Sequence, residues 1–374
     1  MIVGGRKLAS YLPAALRPWA SQLGREQDRL VVAARSLQFT VRMEAGGAIE
    51  RLHGPVSVEL DENELLVACL LRNATAHLPT FMHHYRRLGA KHIVLVDNYS
   101  TDDTVRMASS YDGVTVYRTA LRFSRYETAI KQWLARLGGN GWTLVADADE
   151  LFDYPYSGEL PLPDFLEYLN SNGYDAVCAQ NLEMVPDRPL LSYQGTVSAN
   201  LEESHRFYDL SDITRTDEPY WLRMNQLGSA DLLSHTGGIW ETFFGYRGSK
   251  LTKQPLVRSR SGLRTFPYDV HFVTHARIAD VSGVFRHYKY TGGFVAHVRE
   301  ELQRRQHYHK AEIFDHYERV LRSNPGLSFV RPTSREYGAA EELLDDGFLV
   351  ASKRYRRWAE AHRSPGARAA GASA

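Results

Sequence analysis

Between residues 64 and 150 the chain alternates between short apolar runs and longer amphipathic stretches. The apolar runs are rich in strand-forming side chains and cover residues 64–71, 92–96, 114–117 and 142–146. In the amphipathic stretches, apolar side chains recur at helical spacing, and glycines such as Gly89 and Gly138 follow the last of them. The pattern predicts the order β-α-β-α-β-α-β, and therefore an α/β fold with a mostly parallel sheet flanked by helices.

Outside this block the pattern is less regular. Residues 1–60 predict an N-terminal extension packed on the main domain, with candidate strands at residues 37–43 and 56–60. Residues 183–261 are rich in glycine, aspartate, arginine and aromatic side chains, as is typical of loops that cover a substrate. Two helices are predicted after residue 281. We therefore divide the chain into an N-terminal extension at 1–60, a main α/β domain at 61–290, a C-terminal helical region at 291–363 and a disordered tail at 364–374.

The composition is that of an ordinary globular protein of 374 residues, with 43% hydrophobic and 24% charged side chains. Its 45 basic and 44 acidic residues nearly cancel, so the chain has no global positive field that would bind nucleic acid. No run approaches the roughly 20 apolar residues of a membrane span, which leaves only peripheral association with a membrane. Cys69 and Cys178 lie within apolar runs, where free thiols behave as small buried hydrophobes. With no evident signal peptide, these features predict a cytoplasmic protein.

Three acids follow the apolar run 142–146 within four residues, namely Asp147, Asp149 and Glu150. If the strand alternation continues, Asp147 and Asp149 project to the same side of the sheet and repel each other unless a cation lies between them. A hard divalent ion binds carboxylate and phosphate oxygens together. The alternative is a solvated loop. Because the acids stand at the carboxyl end of a buried strand, where open α/β sheets bind ligands, the pattern favours a metal site.

Polar residues also follow the first two apolar runs. Arg72 and Asn73 come after residues 64–71, and Asp97 and Asn98 come after residues 92–96. Because the carboxyl ends of parallel strands share one rim of the sheet, we expect these side chains and the three acids to meet in one crevice.

Eight motifs occur in a fixed order along the chain. They are LRN at 71–73, DNYSTDDT at 97–104, WTLVADADE at 142–150, GGIWETFF at 237–244, KQPLVR at 253–258, ADVSG at 279–283, FRHYKY at 285–290 and REELQRRQHY at 299–308. Each motif is weak by itself, but the ordered set is more specific. It resembles the family-2-like glycosyltransferases with a GT-A fold, in a bacterial-type form with a D-x-D-E motif, over roughly residues 62–352.

The resemblance implies an enzyme that moves a sugar from a nucleotide-diphosphate donor to a hydroxyl of a carbohydrate or glycoconjugate acceptor, in polysaccharide or glycoconjugate synthesis. Asp97 matches the position that contacts the nucleotide base. Arg72, Asn73 and Asn98 are expected to bind the donor in the same pocket.

The resemblance also implies a divalent metal, manganese or magnesium, that bridges the donor diphosphate. Asp149 would ligate the metal directly, and Asp147 would contact the ribose or the metal's other ligands. His271, His275 and His287 are candidates for a third ligand or a diphosphate contact, and among them we assign His271 to the metal.

Transfer to a hydroxyl needs a general base if the anomeric carbon is inverted. The candidates are Glu183, Asp231 and Glu241, although an isolated acid is more often a surface or structural residue. Glu183 precedes Met184 where related sequences often carry an aspartate, so the carboxylate is kept with a longer reach.

The negative charge that develops on the leaving diphosphate calls for a cation besides the metal. Lys289 is assigned to this role, and Lys253 and Arg258 are alternatives, although such side chains are as often solvated charges. One departure from the family pattern is Ala74, which stands where many relatives carry an acid.

Other functions fit the motifs less well. A phosphatase with a D-x-D-x-T motif needs a threonine two residues after Asp149, where Leu151 stands. A dinucleotide-binding oxidoreductase needs a G-x-G-x-x-G sequence after the first strand, and the chain has none there. A carbohydrate- or nucleotide-binding protein of the same fold without catalysis remains the alternative from a different class, because fold alone does not decide function.

Overall fold

The structure is a computed structural model that describes residues 17–195, 198, 200–216, 224–246, 249–258, 263–267, 270–304 and 312–363. The helices of this part of the chain are α1 (Arg17–Glu44), α2 (Leu78–Leu88), α3 (Thr104–Ala108), α4 (Phe123–Leu134), α5 (Leu162–Ser171), α6 (Leu201–Ser204), α7 (Ile239–Thr242), α8 (Phe294–Arg304), α9 (Glu312–Ser323) and α10 (Lys353–His362). Two short 3-10 helices cover Leu190–Tyr193 and Ala340–Leu344.

The strands belong to one large sheet and three two-stranded ones. Those of the large sheet are β1 (Glu50–His53), β2 (Leu65–Leu71), β3 (His92–Asp97), β4 (Val114–Arg118), β5 (Trp142–Val145), β6 (Glu150–Asp153), β7 (Ala176–Glu183), β10 (Gln226–Leu227), β12 (Thr252–Arg258), β15 (Arg277–Ile278) and β16 (Gly283–His287). The small sheets pair β9 (Ile213–Thr216) with β11 (Ser234–Gly237), β13 (Arg264–Thr265) with β14 (Val273–Thr274), and β8 (Phe207–Tyr208) with β17 (Arg335–Glu336).

The large sheet confirms the predicted α/β fold. Strands β4, β3, β2 and β5 are parallel neighbours in that order, and helices fill the connections between them. Every residue of β2 and β3 is buried, which explains why these strands read as continuous apolar runs rather than as alternating patterns. Beyond β5 the sheet becomes mixed, because β12 lies antiparallel between β5 and β7.

The N-terminal strand predictions are wrong. Residues 37–43 lie inside α1, and residues 56–60 form no strand, while the nearby strand β1 covers Glu50–His53. The run from 37 to 43 has strand-forming side chains, but tertiary packing overrides this local preference. Val32 and Phe39 of α1 are buried, and Ser36 between them donates a hydrogen bond of 2.5 Å to Gln132 of α4. Val32, Ser36 and Phe39 are three or four residues apart, so they lie on one face of α1, and this face packs on the main domain.

The C-terminal helix α10 is held to the sheet through a buried carboxylate. Asp280 accepts hydrogen bonds of 2.8 and 2.9 Å from the Tyr168 hydroxyl and one of 2.5 Å from the Ser352 hydroxyl. Ser352 also caps α10 by accepting from the backbone amide of Tyr355. The predicted helices after residue 281 are confirmed as α8 and α9, whereas the predicted tail at 364–374 lies outside the described residues.

Within the described part of the chain, no helix has both the length and the apolar character that crossing a bilayer requires.

Phe39→Ala is expected to lower the free energy of unfolding by about 3 kcal/mol, because Phe39 is 3% exposed and packs at 6.4 Å from the Trp133 ring. Leu37→Ala, at a 66% exposed position of the same helix, is the matched control and should change it by less than about 0.5 kcal/mol. Urea unfolding followed by circular dichroism measures both. Equal effects of the two substitutions would mean that α1 is not docked through this face.

Candidate active site

Asp147 and Asp149 lie in a turn that joins β5 to β6 rather than on a continuing strand. The Glu150 amide donates to the Asp147 carbonyl at 3.0 Å, and the Glu150 carboxylate accepts from the Asp147 amide at 3.1 Å. The side chains of Asp147 and Asp149 are 35% and 26% exposed, whereas that of Glu150 is 1% exposed. The turn therefore fixes one buried acid and presents two accessible carboxylates at the rim.

Two lysines neutralise the first acid of this turn. Lys131 of α4 approaches one Asp147 oxygen at 2.7 Å, and Lys253 of β12 approaches the other at 3.3 Å while also pairing with Glu150. Burial by itself would raise the pKa of the Asp147 carboxyl, but the two ammonium groups outweigh it and hold that pKa below its usual range. The repulsion expected between the acids is thus relieved by lysine side chains of the chain itself.

His287 bridges the second acid to a carboxylate on the neighbouring strand. Its Nε2 lies 3.1 Å from Asp149 and its Nδ1 lies 3.0 Å from Glu183. The sheet register explains the bridge, because β16 pairs with both β6 and β7 and sets His287 opposite Glu150 and Glu183. Burial alone would lower the pKa of His287, but Glu183 and Asp149 outweigh it and raise that pKa well above its usual value.

Lys289 adds a second cation next to this bridge. Its ammonium lies 3.9 Å from the centre of the Trp240 ring and 5.3 Å from that of Tyr317. Burial lowers the pKa of Lys289 to about 8, against the opposing effect of Glu183 and Asp149. No carboxylate of the described residues lies within salt-bridge distance of this ammonium group.

The polar residues after β2 are tied to α8 and to the loop after β3. The Arg72 guanidinium donates to the Asn98 carbonyl at 3.1 Å and pairs with Glu300 at 3.1 Å. Asn73 has a positive φ of 49°, and its amide side chain donates to Glu300 at 3.2 Å and accepts from the Thr101 amide at 2.8 Å. Contacts between residues more than 200 positions apart therefore hold this part of the rim.

Asp97 is buried, whereas a residue that contacts a nucleotide base should be accessible. It is 0% exposed, pairs with Arg118 at 3.0 Å and accepts from the Ser100 amide at 3.0 Å. Its neighbour Asn98 donates to two backbone carbonyls, those of Thr119 at 3.1 Å and Leu121 at 2.9 Å. Both side chains shape the loop, since a buried carboxylate at a strand end is stable only when it is paired and hydrogen-bonded.

A cavity of about 450 Å³ opens at this end of β2 and β3. It combines an exposed aromatic ring with three guanidinium groups, and its lining consists of Arg72, Asn98, Tyr99, Ala120, Leu121, Arg122 and Arg304. The Arg118 guanidinium lies over the Tyr99 ring at 5.3 Å. A ring with arginines beside it suits a planar, anionic ligand.

Residues 71–249, somewhat less than half of the chain, match the model of the family described as Glycosyl transferase family 2. Over these residues the chain is similar to the family-2 glycosyltransferases. The resemblance drawn from the motifs, with its GT-A-like mostly parallel sheet, is confirmed.

Three solved structures are similar to part of this chain. One is TarS from S. aureus, 15% identical, with 37% of this chain and 29% of that chain covered at a TM-score of 0.26. HddC from Yersinia pseudotuberculosis is 12% identical, with 34% of this chain and 61% of that chain covered at a TM-score of 0.23. A 4-diphosphocytidyl-2C-methyl-D-erythritol synthase is 14% identical, with 37% of this chain and 68% of that chain covered at a TM-score of 0.23. The chain thus spans less than two thirds of TarS and of HddC. No curated protein matches it.

The other acids that are candidates for a general base lie in different surroundings. Asp231 is exposed and accepts a hydrogen bond from the Ser229 hydroxyl two residues earlier at 3.2 Å. Glu241 lies in the first turn of α7 and accepts from Ser249 at 3.4 Å. Only Glu183, at the end of β7, is joined to the acidic turn through the described contacts, by way of His287.

The remaining basic candidates are spread along the second half of the domain. The backbone carbonyl of His271 accepts a hydrogen bond of 2.7 Å from the backbone N–H of Gln254 in β12. His275 is exposed and has a positive φ of 64°. Arg258 pairs in register with Trp142 at the start of β5, so it lies at the rim opposite the acids. Within the described residues, no group of three or more histidines, cysteines or acids is arranged to hold a metal ion. The assignment of His271 to a metal stays a prediction.

Three residues at this site were missed or left unassigned by the sequence reasoning. Lys131 reads as an ordinary charge within an amphipathic helix, and Glu300 lies far from the other rim residues in sequence. His287 did carry a signal, because it stands in the FRHYKY motif at the end of an apolar run. Only the register of β16 with β7 reveals that it faces Glu183.

Asp97→Ala is expected to lower the free energy of unfolding by about 2 to 4 kcal/mol, because it leaves Arg118 and the Ser100 amide without their buried partner. Asp103→Ala removes the exposed pair with Arg106 at 2.8 Å and should cost less than about 1 kcal/mol. Chemical denaturation of both variants tests the difference. A fully stable Asp97→Ala protein would contradict a structural role for this carboxylate.

His287 makes the stability of the metal-free protein depend on pH. Because its pKa is raised above the ordinary value of 6.5, folding takes up a proton, and the stabilisation is complete below pH 6.5 and lost as pH rises towards the folded-state pKa. With a chelator present, the free energy of unfolding should fall by up to about 1.4 kcal/mol per pH unit between pH 6.5 and 7.5. In His287→Gln this slope should disappear. The same slope in both proteins would assign it to another group.

Proposed function

We propose that this chain is a metal-dependent glycosyltransferase that moves a sugar from a nucleoside-diphosphate donor to an acceptor hydroxyl, in polysaccharide or glycoconjugate synthesis. The observation that carries the proposal is the distribution of charge at the rim. Asp147 is already paired with two lysines, whereas Asp149 is partly exposed and shares only a histidine with Glu183. Of the two aspartates, Asp149 is therefore the one free to take part in ligand binding.

The nucleotide is assigned to the cavity of about 450 Å³ next to Arg72 and Tyr99. Tyr99 is 54% exposed and offers a face on which a base can stack, and stacking on aromatic rings tolerates every base. Arg122 and Arg304 also line this cavity and favour an anionic ligand. Asp97 acts indirectly in this proposal, since its carboxylate is bound to Arg118 and orders the loop that carries Asn98 and Tyr99.

The residues at the turn fit a hard divalent ion. Asp149 supplies a carboxylate and His287 an imidazole, and magnesium or manganese is commonly held by one or two protein groups together with substrate phosphates and water. Imidazole binds a metal only when neutral, so metal binding would release the proton that His287 holds between its two carboxylates. Such an ion supplies charge stabilisation for the leaving diphosphate. Asp147 is proposed to hold the turn in place and to contact the ribose or the water around the metal.

Glu183 is the proposed general base for an inverting transfer. One of its oxygens lies 3.0 Å from His287, and the other is buried with no hydrogen-bond partner among the described residues. The unpaired oxygen is suited to accept the proton of the acceptor hydroxyl as that oxygen bonds to the anomeric carbon and the bond from the sugar to the phosphate breaks. Lys289 lies within reach of the same region and would oppose the negative charge left on the diphosphate.

Asp149→Asn is expected to reduce transfer or donor hydrolysis by at least a hundredfold, because it removes the carboxylate charge proposed to hold the metal. The fold should be retained, since the side chain is 26% exposed and isosteric with asparagine and His287 keeps its pair with Glu183. Asp112→Asn, in the exposed turn before β4, is the matched control and should keep full turnover.

The measurement combines turnover of a nucleotide-sugar panel with calorimetry of nucleoside-diphosphate binding in manganese and in chelator. Nucleoside-diphosphate binding that does not depend on metal, together with normal turnover of Asp149→Asn, would contradict the proposal. Tight binding of nucleotide sugars by the wild type without any turnover would instead support a binding protein of the same fold.

A further inference from the structure

Two residues of the rim beside the cavity adopt a left-handed backbone conformation. Asn73 has a φ of 49° and Tyr99 a φ of 57°. Residues other than glycine rarely take this conformation, and they keep it only where the surrounding structure holds them. Backbone strain of this kind is concentrated at sites whose geometry is fixed before a ligand binds. The contacts that hold these two residues therefore bear on what the cavity does.

The two segments that carry these residues hold each other directly. The side-chain oxygen of Asn73 accepts a hydrogen bond of 2.8 Å from the backbone N–H of Thr101. The backbone N–H of Asn73 donates to the Ser100 hydroxyl at 2.9 Å. The backbone N–H of Ser100 in turn donates to the buried Asp97 carboxylate at 3.0 Å. The turn that carries Tyr99 is thus held through the residues around it.

Arg72 fastens the same turn from outside. One terminal nitrogen of its guanidinium donates to the backbone carbonyls of both Asn98 and Tyr99. The other terminal nitrogen donates to the Glu300 carboxylate of α8 at 3.1 Å. Because both terminal nitrogens have protein acceptors, this guanidinium forms part of the cavity wall and ties the turn to α8.

Glu300 contacts both segments of the rim. Besides Arg72, its carboxylate accepts from the side-chain amide of Asn73 at 3.2 Å and lies 3.8 Å from Arg304, one helical turn later. Burial by itself would raise the pKa of Glu300, but the hydrogen bond and charge of Arg72 outweigh it and lower that pKa, so the carboxylate is ionised at neutral pH. Glu300 itself does not line the cavity, whereas Arg72 and Arg304 do. It therefore acts on the cavity through its partners.

We infer that Glu300 is a positioning residue for nucleotide binding, which through Arg72 and Asn73 fixes the turn that presents the Tyr99 ring to the cavity. This inference rests on the proposed function, which assigns the nucleotide to that cavity. The Tyr99 ring is 54% exposed, so its orientation depends on the backbone that carries it. A ring held in place before binding loses less conformational freedom when a base stacks on it, and the affinity is correspondingly higher.

The opposite role for this carboxylate is that of an internal counter-ion. Glu300 lies next to Arg72 and Arg304, and an acid that neutralises guanidinium groups competes with an anionic ligand for them. Removing a competitor tightens nucleotide binding, whereas removing a positioning residue weakens it. The two roles therefore predict changes of opposite sign.

The test compares Glu300→Ala and Glu300→Gln with the wild type. Alanine removes every acceptor of the side chain, whereas glutamine keeps one oxygen that accepts from Arg72 or Asn73. Glu318→Ala is the matched control, because it removes a glutamate–arginine pair of 2.6 Å with Arg322 within α9. Both ion pairs reach the surface, so all three variants should melt close to the wild-type temperature.

Calorimetry with manganese measures the affinity for UDP and for GDP, and hydrogen exchange followed by mass spectrometry measures the backbone amides of residues 98–104. For each nucleotide that the wild type binds, we expect roughly tenfold weaker binding in Glu300→Ala and a partial recovery in Glu300→Gln. In Glu300→Ala the amides of residues 98–104 should exchange faster, while those of β2 and β3 exchange as in the wild type. The control should match the wild type in both measurements.

Weaker nucleotide binding together with faster exchange of residues 98–104 supports the inference. Equal or tighter binding by Glu300→Ala, or weaker binding with unchanged exchange of this turn, would overturn it. A wild type that binds neither UDP nor GDP would overturn it as well. If the wild type binds a nucleotide but turns over no nucleotide sugar, the proposed transfer fails, while the comparison of the variants still decides the role of Glu300.

Discussion

The structure depends on neutralising acids that are held close together at the end of a buried strand. Asp147, Asp149 and Glu150 occupy four consecutive positions with Ala148, and Glu150 is almost fully buried. A buried charge without a partner is strongly destabilising, and removing one member of such a pair typically costs about 3 to 5 kcal/mol. Lys131, Lys253 and His287 supply the opposing charge, so the site is held together by ion pairs before any ligand binds.

The second half of the sheet brings two of these cations, Lys253 and His287, to the acids, whereas Lys131 comes from α4. Strand β12 lies antiparallel between β5 and β7 and starts at the acidic rim, which puts Lys253 beside Asp147. Strand β16 pairs with both β6 and β7, so His287 stands between the two strand ends that carry Glu150 and Glu183. The mixed part of the sheet thus determines the electrostatics of the rim, while the parallel part forms its scaffold.

This arrangement gives the two aspartates different surroundings although they are two residues apart. Asp147 has an ammonium group on each oxygen, whereas Asp149 has a single imidazole and remains accessible. Under the proposed function, one aspartate stabilises the turn and the other binds. The bridge from Asp149 through His287 to Glu183 also connects the acidic turn to the end of β7, and Lys289, two residues after His287, lies against the Trp240 ring.

The sequence by itself determined the parallel core of the sheet, because each buried strand is a continuous apolar run and each helix between them has its own periodicity. It also determined that Arg72, Asp97 and the acidic turn end neighbouring strands, since parallel topology follows from the order of the elements. Only the tertiary structure decided the helical state of residues 37–43, the burial of Asp97 and the partners of the acids. These depend on Gln132, Arg118, Lys253 and His287, which lie 21 to 138 residues from their partners. Local periodicity carries no information about contacts at such separations, and only the packing of helices and the register of strands bring these residues together.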